Sequence, residues 1–362
     1  MKREYYRLTI YICMSCLLIL IMTGCRLKEA DSGKTSSEEY VAESTDEFYP
    51  AETDASDEAT TEAGPAESVP ESDTPFSIEE EVTYMFSGES WKIPYQVLEN
   101  GTEISAASLR WTSSDPDTVS VDPDGRIVAL QEGSAVITCK NRSTEESLCI
   151  NVYDQFGGGD YWDMSVRTGV SETRVYRNYD QGAYRYGDYS EYVWMHGCAV
   201  CCTATTIGAW YPEEEWGPDQ VISKLEPTAD EEAWEKNYAK SPSKQMPLTL
   251  KGISRVLTLK EIPHVYISSF DKETVVKDLT QHLNKGYPVI YEAGNGGYHM
   301  MMMLGIMTDG DVIISDSVGF DRVGTVPLDL VIRQMFSCKK EPEASYFSGR
   351  KTAGGYIKVG AE

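Results

Sequence analysis

Residues 195–202 read MHGCAVCC and set Cys198, Cys201 and Cys202 within five positions. Thiols this close could form a disulfide, hold a metal, make a redox pair or supply a nucleophile. Their surroundings separate them. Val200, Ala204, Ile207 and Tyr211 recur at helical spacing, which predicts a helix over 199–210 with one apolar face. Cys198, just after Gly197, then stands at the N-terminal mouth of that helix. Partial positive charge and unpaired N–H groups collect there, and both favour thiolate over thiol. An ordinary thiol, with pKa ~8.5, is only a few per cent ionised at neutral pH, so this placement suits a nucleophile. Cys201 and Cys202 fall on the body of the helix and read as small buried hydrophobes. A redox Cys198-x-x-Cys201 pair would want a strand leading tightly into it. A structural zinc site would want a second paired motif, and only Cys338 and scattered histidines remain. No metal and no organic cofactor are implied.

A thiolate nucleophile needs a base. The chain has four histidines, His196, His264, His282 and His299. His299 is the best placed. It begins a strand after the glycine-rich approach EAGNGGYH, where a substrate could come close to the backbone. Asp316 ends the next apolar strand, DVIIS. Adjacent antiparallel strands would let Asp316 orient the His299 imidazole. His196, two residues before Cys198, is the runner-up base.

Those side chains need a scaffold. Helices are predicted over 199–210, 216–225, 230–239, 247–258 and 273–285, followed by strands YPVIYEA, YHMMMMLGI, DVIISDS and YIKV. Thr203, Thr205 and Thr206 are poor helix formers, so tertiary packing must hold the first helix. The stretches NYDQGAYRYGDYSEYVWMHGCAVCCTATTIGAWYP, DKETVVKDLTQHLNKGYPVIYEA and GGYHMMMMLGI, with DGDVIISDS after them, occur in the order found in bacteriocin-processing peptidases. This part of the chain resembles that Peptidase_C39-like superfamily of papain-like cysteine peptidases. The resemblance implies a central helix packed on an antiparallel sheet, with Cys198 as nucleophile, His299 as general base and Asp316 orienting His299. It implies Gln181 as oxyanion-hole donor, beside backbone N–H groups at the helix start; Gln155 is the other upstream glutamine. The chain departs from the family pattern where Cys201 and Cys202 follow the nucleophile and where Ser317, rather than proline, follows Asp316.

The front of the chain speaks to location. Lys2, Arg3 and Arg7 precede an apolar run, LTIYICMSCLLILIM, too short for a comfortable membrane span and suited to an export signal. Met22-Thr23-Gly24-Cys25 resembles a bacterial lipobox, which implies a signal peptide over 1–24 and lipidation of Cys25. The other reading is an uncleaved anchor helix, and either reading puts the remainder outside the cytoplasmic membrane. Residues 25–75 are rich in Ser, Thr, Glu, Asp, Ala and Pro. From Arg26 to Pro75 there are 15 acidic and three basic residues. Such a segment buries too little apolar surface to offset its chain entropy and reads as a disordered tether. Fifty flexible residues would span on the order of 40 Å. The net charge of -26 argues against a nucleic-acid partner, because phosphate binding needs clustered Lys and Arg.

Residues 76–154 change character again. SLRWTSS, TVSVD, RIVAL, EGSAVITCK and ESLCINVYD alternate at roughly ten-residue spacing with Gly, Pro and Asp turns between them, which predicts a β-sandwich. WTSSDPDTVSVDPDGRIVALQEGSAVIT resembles bacterial immunoglobulin-like domains of group 2, carried by Trp111, Ser113, Ser114, Asp115, Val119, Val121, Gly125, Ile127, Ala129, Gly133 and Ala135. Such domains are spacers or adhesive modules. Cys139 and Cys149 flank the last hairpin. If they stood opposite each other they could form a disulfide, which an extracellular setting permits. A glycine-rich linker over 155–162 would join this sandwich to a catalytic domain over 163–362.

Together these readings expect an α+β chain, papain-like behind an all-β immunoglobulin-like sandwich. It would be a lipid-anchored cell-surface cysteine hydrolase acting on a peptide or protein, cell-wall peptide included. The alternatives are an inactive papain-like binding or adhesion protein and a cell-wall peptide amidase.

Overall fold

The computed structural model describes residues 73–98, 104–105, 108–154, 156, 163–168, 172–182, 185–224, 249–294, 298–318, 322–340 and 355–360. The expected signal peptide with Cys25, nearly all of the tether, Gln155, most of the 155–162 linker and the 230–239 helix lie outside these residues. Among the described residues no helix is long and apolar enough to cross a membrane.

Residues 76–153 form two facing sheets. One holds β2 (Val82–Phe86), β5 (Arg110–Ser113), β8 (Gly133–Lys140) and β9 (Glu145–Tyr153), in the order β2-β9-β8-β5. The other holds β3 (Ser90–Lys92), β6 (Val119–Val121) and β7 (Arg126–Ala129), in the order β3-β7-β6. Short strands β1 (Phe76–Ser77) and β4 (Gln96–Val97) pair beside them. Alternate residues of these strands, such as Ile127, Ala135, Ile137 and Leu148, point into one core, with Trp111 packed against it. Gly125 in the DPDG turn has φ +76°, and a Cβ there would lie 2.6 Å from the Trp111 ring. Both the backbone and the indole therefore require glycine at this turn.

The register overturns the proposed disulfide. Cys139 stands opposite Glu146, and Cys149 stands opposite Val136. That odd three-residue offset sends the two thiols to opposite faces of the sheet. Cys139 enters the sandwich core, Cys149 enters the neighbouring core, and both are free.

Strand β9 is buried on both faces, so its outer side has a partner. Val82, Tyr84, Cys149 and Tyr153 share a core with the C-terminal part of the chain. Thr83 Oγ1 donates to the Ile306 carbonyl at 3.1 Å, and Glu81 N donates to the Asn284 carbonyl at 2.7 Å. A Cβ on Gly305 would lie 2.1 Å from the Tyr84 ring, so the close approach depends on glycine there. The sandwich is thus packed onto the C-terminal part as well as linked to it.

That part begins with the hairpin β10 (Asp163–Thr168) and β11 (Glu172–Arg177). Its helices are α1 (Ser190–His196), α2 (Cys198–Trp210), α3 (Pro218–Lys224), α4 (Leu250–Leu259), α5 (Lys272–Asn284) and α6 (Leu328–Lys340). Its sheet holds β12 (His264–Ile267), β13 (Val289–Gly294), β14 (Tyr298–Ile306), β15 (Asp311–Asp316), β16 (Arg322–Pro327) and β17 (Tyr356–Val359). The strand order is β12-β17-β13-β14-β15-β16, and every pairing is antiparallel. Helices cover both faces. Met300, Met302 and Leu304 pack with residues of α2 and α4, whereas Met301 and Met303 pack with residues of α5 and α6. This explains the unbroken methionine run of β14, because a strand covered on both sides loses its polar alternation.

Helix α2 is buried nearly all round rather than along one face. Its threonines fit because their hydroxyls are satisfied locally. Thr203 Oγ1 donates to the Ala199 carbonyl at 2.7 Å, and Thr206 Oγ1 donates to the Cys202 carbonyl at 2.8 Å.

Candidate active site

The site forms where the first turn of α2 meets the ends of β14 and β15. Helices α1 and α2 are divided only by Gly197, whose amide donates to the Val193 carbonyl at 2.7 Å. A Cβ on Gly197 would sit 2.3 Å from that same oxygen, so the tight join needs glycine on steric grounds alone. Cys198 therefore opens α2, and no side chain caps the helix. The first-turn N–H groups beside the sulfur stay clear of the competitor that a capping Ser or Asp would bring.

Cys198 is partly exposed, whereas Cys201 and Cys202 are buried. Burial pushes the Cys201 and Cys202 thiols well above the usual range, with the neighbouring Cys198 adding to it. They are neutral packing groups at physiological pH. The three cysteines are thereby chemically distinct.

Strands β14 and β15 are neighbours, with Met302 opposite Ser315. Asp316 then faces Met301, and His299 lies diagonally across on the same face, within reach of a carboxylate. His299 Nε2 and Asp316 Oδ1 are 2.5 Å apart, with side chains 18% and 15% exposed. Asp316 Oδ1 also accepts from Val318 N at 2.8 Å, which fixes the carboxylate. The imidazole has Cys198 as its other hydrogen-bond partner. Because Nε2 is engaged by Asp316, the sulfur falls to Nδ1. Burial opposes charge on the ring, but the hydrogen bonds to Asp316 and Cys198 and their negative charges outweigh it. The His299 pKa rises to about 10. At neutral pH the ring is an imidazolium with both nitrogens donating.

Gln181 joins this end of the sheet through Ser317. Its backbone N donates to the Ser317 carbonyl at 2.8 Å. Its side-chain Oε1 accepts from Ser317 Oγ at 3.2 Å, and its Nε2 donates to the Trp194 carbonyl on α1 at 3.0 Å. Nearby, Ser315 Oγ donates to Asn178 Oδ1 at 2.6 Å and ties the same two segments together. Asn178 and Trp194 carry no sequence signal of their own, and Trp194 acts only through its backbone carbonyl; Ser317 shows in the sequence as the residue that replaces proline after Asp316.

The remaining histidines have other partners. His264 sits between Ser254 Oγ and the Ile262 carbonyl, each at 2.8 Å. His282 faces the carbonyls of Pro288 and Val359, and burial, with Lys358 adding to it, lowers its pKa to about 4. His196 is the last residue of α1 and Cys338 lies on α6, but both side chains are outside the described set.

Residues 176–329 match the model of the Peptidase_C39 like family. That span includes Gln181, Cys198, His299 and Asp316, and it supports a C39-like, cysteine-peptidase-like domain in this part of the chain. Among curated proteins, the polysaccharide lyase 8 family protein HylA of Enterococcus faecalis is 36% identical over 76 residues, 21% of this chain and 6% of that protein. The chain thus spans only a small part of the relative it matches. Among solved structures, a bacterial Ig-like domain containing GH10 xylanase from termite gut is 23% identical, covering 22% of this chain and 20% of that one, with a TM-score of 0.17. The S-layer protein rSbsC is 18% identical, covering 30% of this chain and 16% of that one, with a TM-score of 0.20. At these scores the structural likeness decides nothing about the fold.

Proposed function

We propose that the protein is an extracytoplasmic, lipid-anchored cysteine hydrolase that cleaves peptide bonds. The observation that carries this reading is the hydrogen-bonded run from Cys198 through His299 to Asp316. Cys198 thiolate attacks the carbonyl carbon of the scissile amide. The resulting oxyanion is held by Gln181 Nε2 and by the N–H groups that open α2. His299, an imidazolium at rest, gives the Nδ1 proton to the departing amine as the thioester forms. Neutral His299 then takes a proton from water, which attacks the thioester, and Cys198 is released as thiolate with the carboxylic acid product. Asp316 holds the ring in orientation and stabilises its charge throughout.

In this reading Cys25 bears the lipid, residues 26–75 form the acidic tether, and residues 76–154 are a bacterial immunoglobulin-like module. The packing of that module onto the C-terminal part supports a role in bracing the catalytic sheet. The reading is tested with a proteome-derived peptide library incubated with the full chain and with Cys198→Ala. New peptide ends that need Cys198 are expected. A library equally intact with both proteins contradicts it.

A further inference from the structure

We propose that Ser317 is a positioning residue that orients the Gln181 amide, so that Gln181 presents an Nε2 hydrogen to the oxyanion formed at Cys198. This rests on the reading of Gln181 as an oxyanion donor. Cys201 and Ser317 are two places where the chain departs from the pattern of the family it resembles, and in the fold they touch. Ser317 is 4% exposed and Gln181 is 8% exposed. In so dry a setting the orientation of the amide matters, because its two ends are nearly the same size and only hydrogen bonds tell them apart.

The bonds form a directed chain. The Cys201 thiol hydrogen-bonds to Ser317, and burial keeps that thiol neutral. Ser317 Oγ donates its own O–H to Gln181 Oε1 at 3.2 Å. With Oε1 engaged there, Nε2 faces the Trp194 carbonyl at 3.0 Å. Turning the amide over would set Oε1 against that carbonyl, acceptor against acceptor. Nε2 carries two hydrogens, and the second has no partner among the described residues. Trp194 lies on α1, just ahead of the Gly197–Cys198 junction, and it is this second hydrogen that we assign to the oxyanion. The backbone of Gln181 pairs with Ser317, the residue that follows Asp316.

Two probes separate orientation of the amide from reactivity of the sulfur. With iodoacetamide, Cys198 Sγ displaces iodide and no oxyanion forms. With p-nitrophenyl acetate, Sγ adds to the carbonyl carbon, an oxyanion forms, and its collapse expels p-nitrophenolate and leaves an acetyl thioester. In the full chain, Ser317→Ala should change the alkylation rate by less than about twofold and lower acylation at least tenfold, on the scale of losing an oxyanion donor. Gln181→Ala should lose acylation similarly, and the double variant should lose little more, because both changes remove one interaction. Ser317→Thr, which keeps the hydroxyl, should acylate within about threefold of wild type. Ser317→Val, of the same shape without the hydroxyl, should match Ser317→Ala and serves if the alanine variant does not fold. Equal acylation by the threonine and valine variants, or parallel loss of alkylation and acylation, overturns the role of Ser317. Wild-type release of p-nitrophenolate no faster than that of Cys198→Ala overturns the hydrolase reading itself, and this inference with it.

Discussion

The charge on His299 makes the sharpest prediction. Hydrogen bonds to Asp316 and Cys198 outweigh burial and raise its pKa to about 10, so at pH 7 a cation lies against the Cys198 sulfur. His299→Gln removes that cation while keeping a polar group of similar reach. The sulfur then loses its counter-charge, and an ordinary thiol, with pKa ~8.5, is about 3% ionised at pH 7. Thiolate content should fall about thirtyfold. A more basic thiolate is intrinsically more reactive, which returns part of the loss. Alkylation by iodoacetamide at pH 7 should therefore drop roughly ten- to thirtyfold. The pH profile should change as well. Wild type should alkylate at a nearly constant rate from pH 6 to 9, where the ring stays protonated. In His299→Gln the rate should climb close to tenfold per pH unit between pH 6 and 8. The assay is the adduct at Cys198, followed by peptide mass against time. A variant with the wild-type rate and a flat profile refutes the ion pair.

Other consequences are independent of catalysis. His282 has a folded pKa of about 4, below its ordinary 6.5. Between those values the unfolded chain binds more protons, so stability should fall as pH drops from about 6.5 to about 4, by on the order of 3 kcal/mol. Urea unfolding across that range should show the slope in wild type, and His282→Gln should lack it. The Tyr84 hydroxyl is buried without a partner among the described residues, so Tyr84→Phe should be neutral or stabilise by about 1 kcal/mol. Gly305→Ala, by contrast, should cost roughly 1–3 kcal/mol against the Tyr84 ring. Calorimetry distinguishes the two. Cys139 and Cys149 should both react with N-ethylmaleimide after denaturation without reductant; a peptide pair linked through them in non-reducing mass maps would contradict the register.

The parts of the site legible in the sequence were those tied to local signals. Gly197 before Cys198 and the apolar spacing after it mark the opening of α2. The apolar runs ending near His299 and Asp316 mark β14 and β15. Helix α6 carried a clear signal too, since Leu328, Val331, Ile332 and Met335 recur at helical spacing, yet it is absent from the elements predicted above. Strand β2 had none to offer, because VTYMF is buried on nearly every side and shows no alternation. Helix α1 is a short SEYVWMH turn without a periodic face. The Cys139–Cys149 offset depends on a four-residue turn, and pairing register cannot be read from composition. The docking of the sandwich through Tyr84 and Gly305 is a contact between distant segments, which no local pattern encodes. The pairing of Cys201 with Ser317 is of the same kind.

The central claim is that Cys198 becomes acylated and is then freed by water. Intact-mass measurement on the full chain, quenched at intervals after mixing with p-nitrophenyl acetate, tests it most directly. The account predicts an acetyl adduct on Cys198 that accumulates within the first turnovers and disappears as the ester runs out, and that does not form in Cys198→Ala. A protein that alkylates readily at Cys198 yet never carries the acetyl group, or holds it without release, would contradict it.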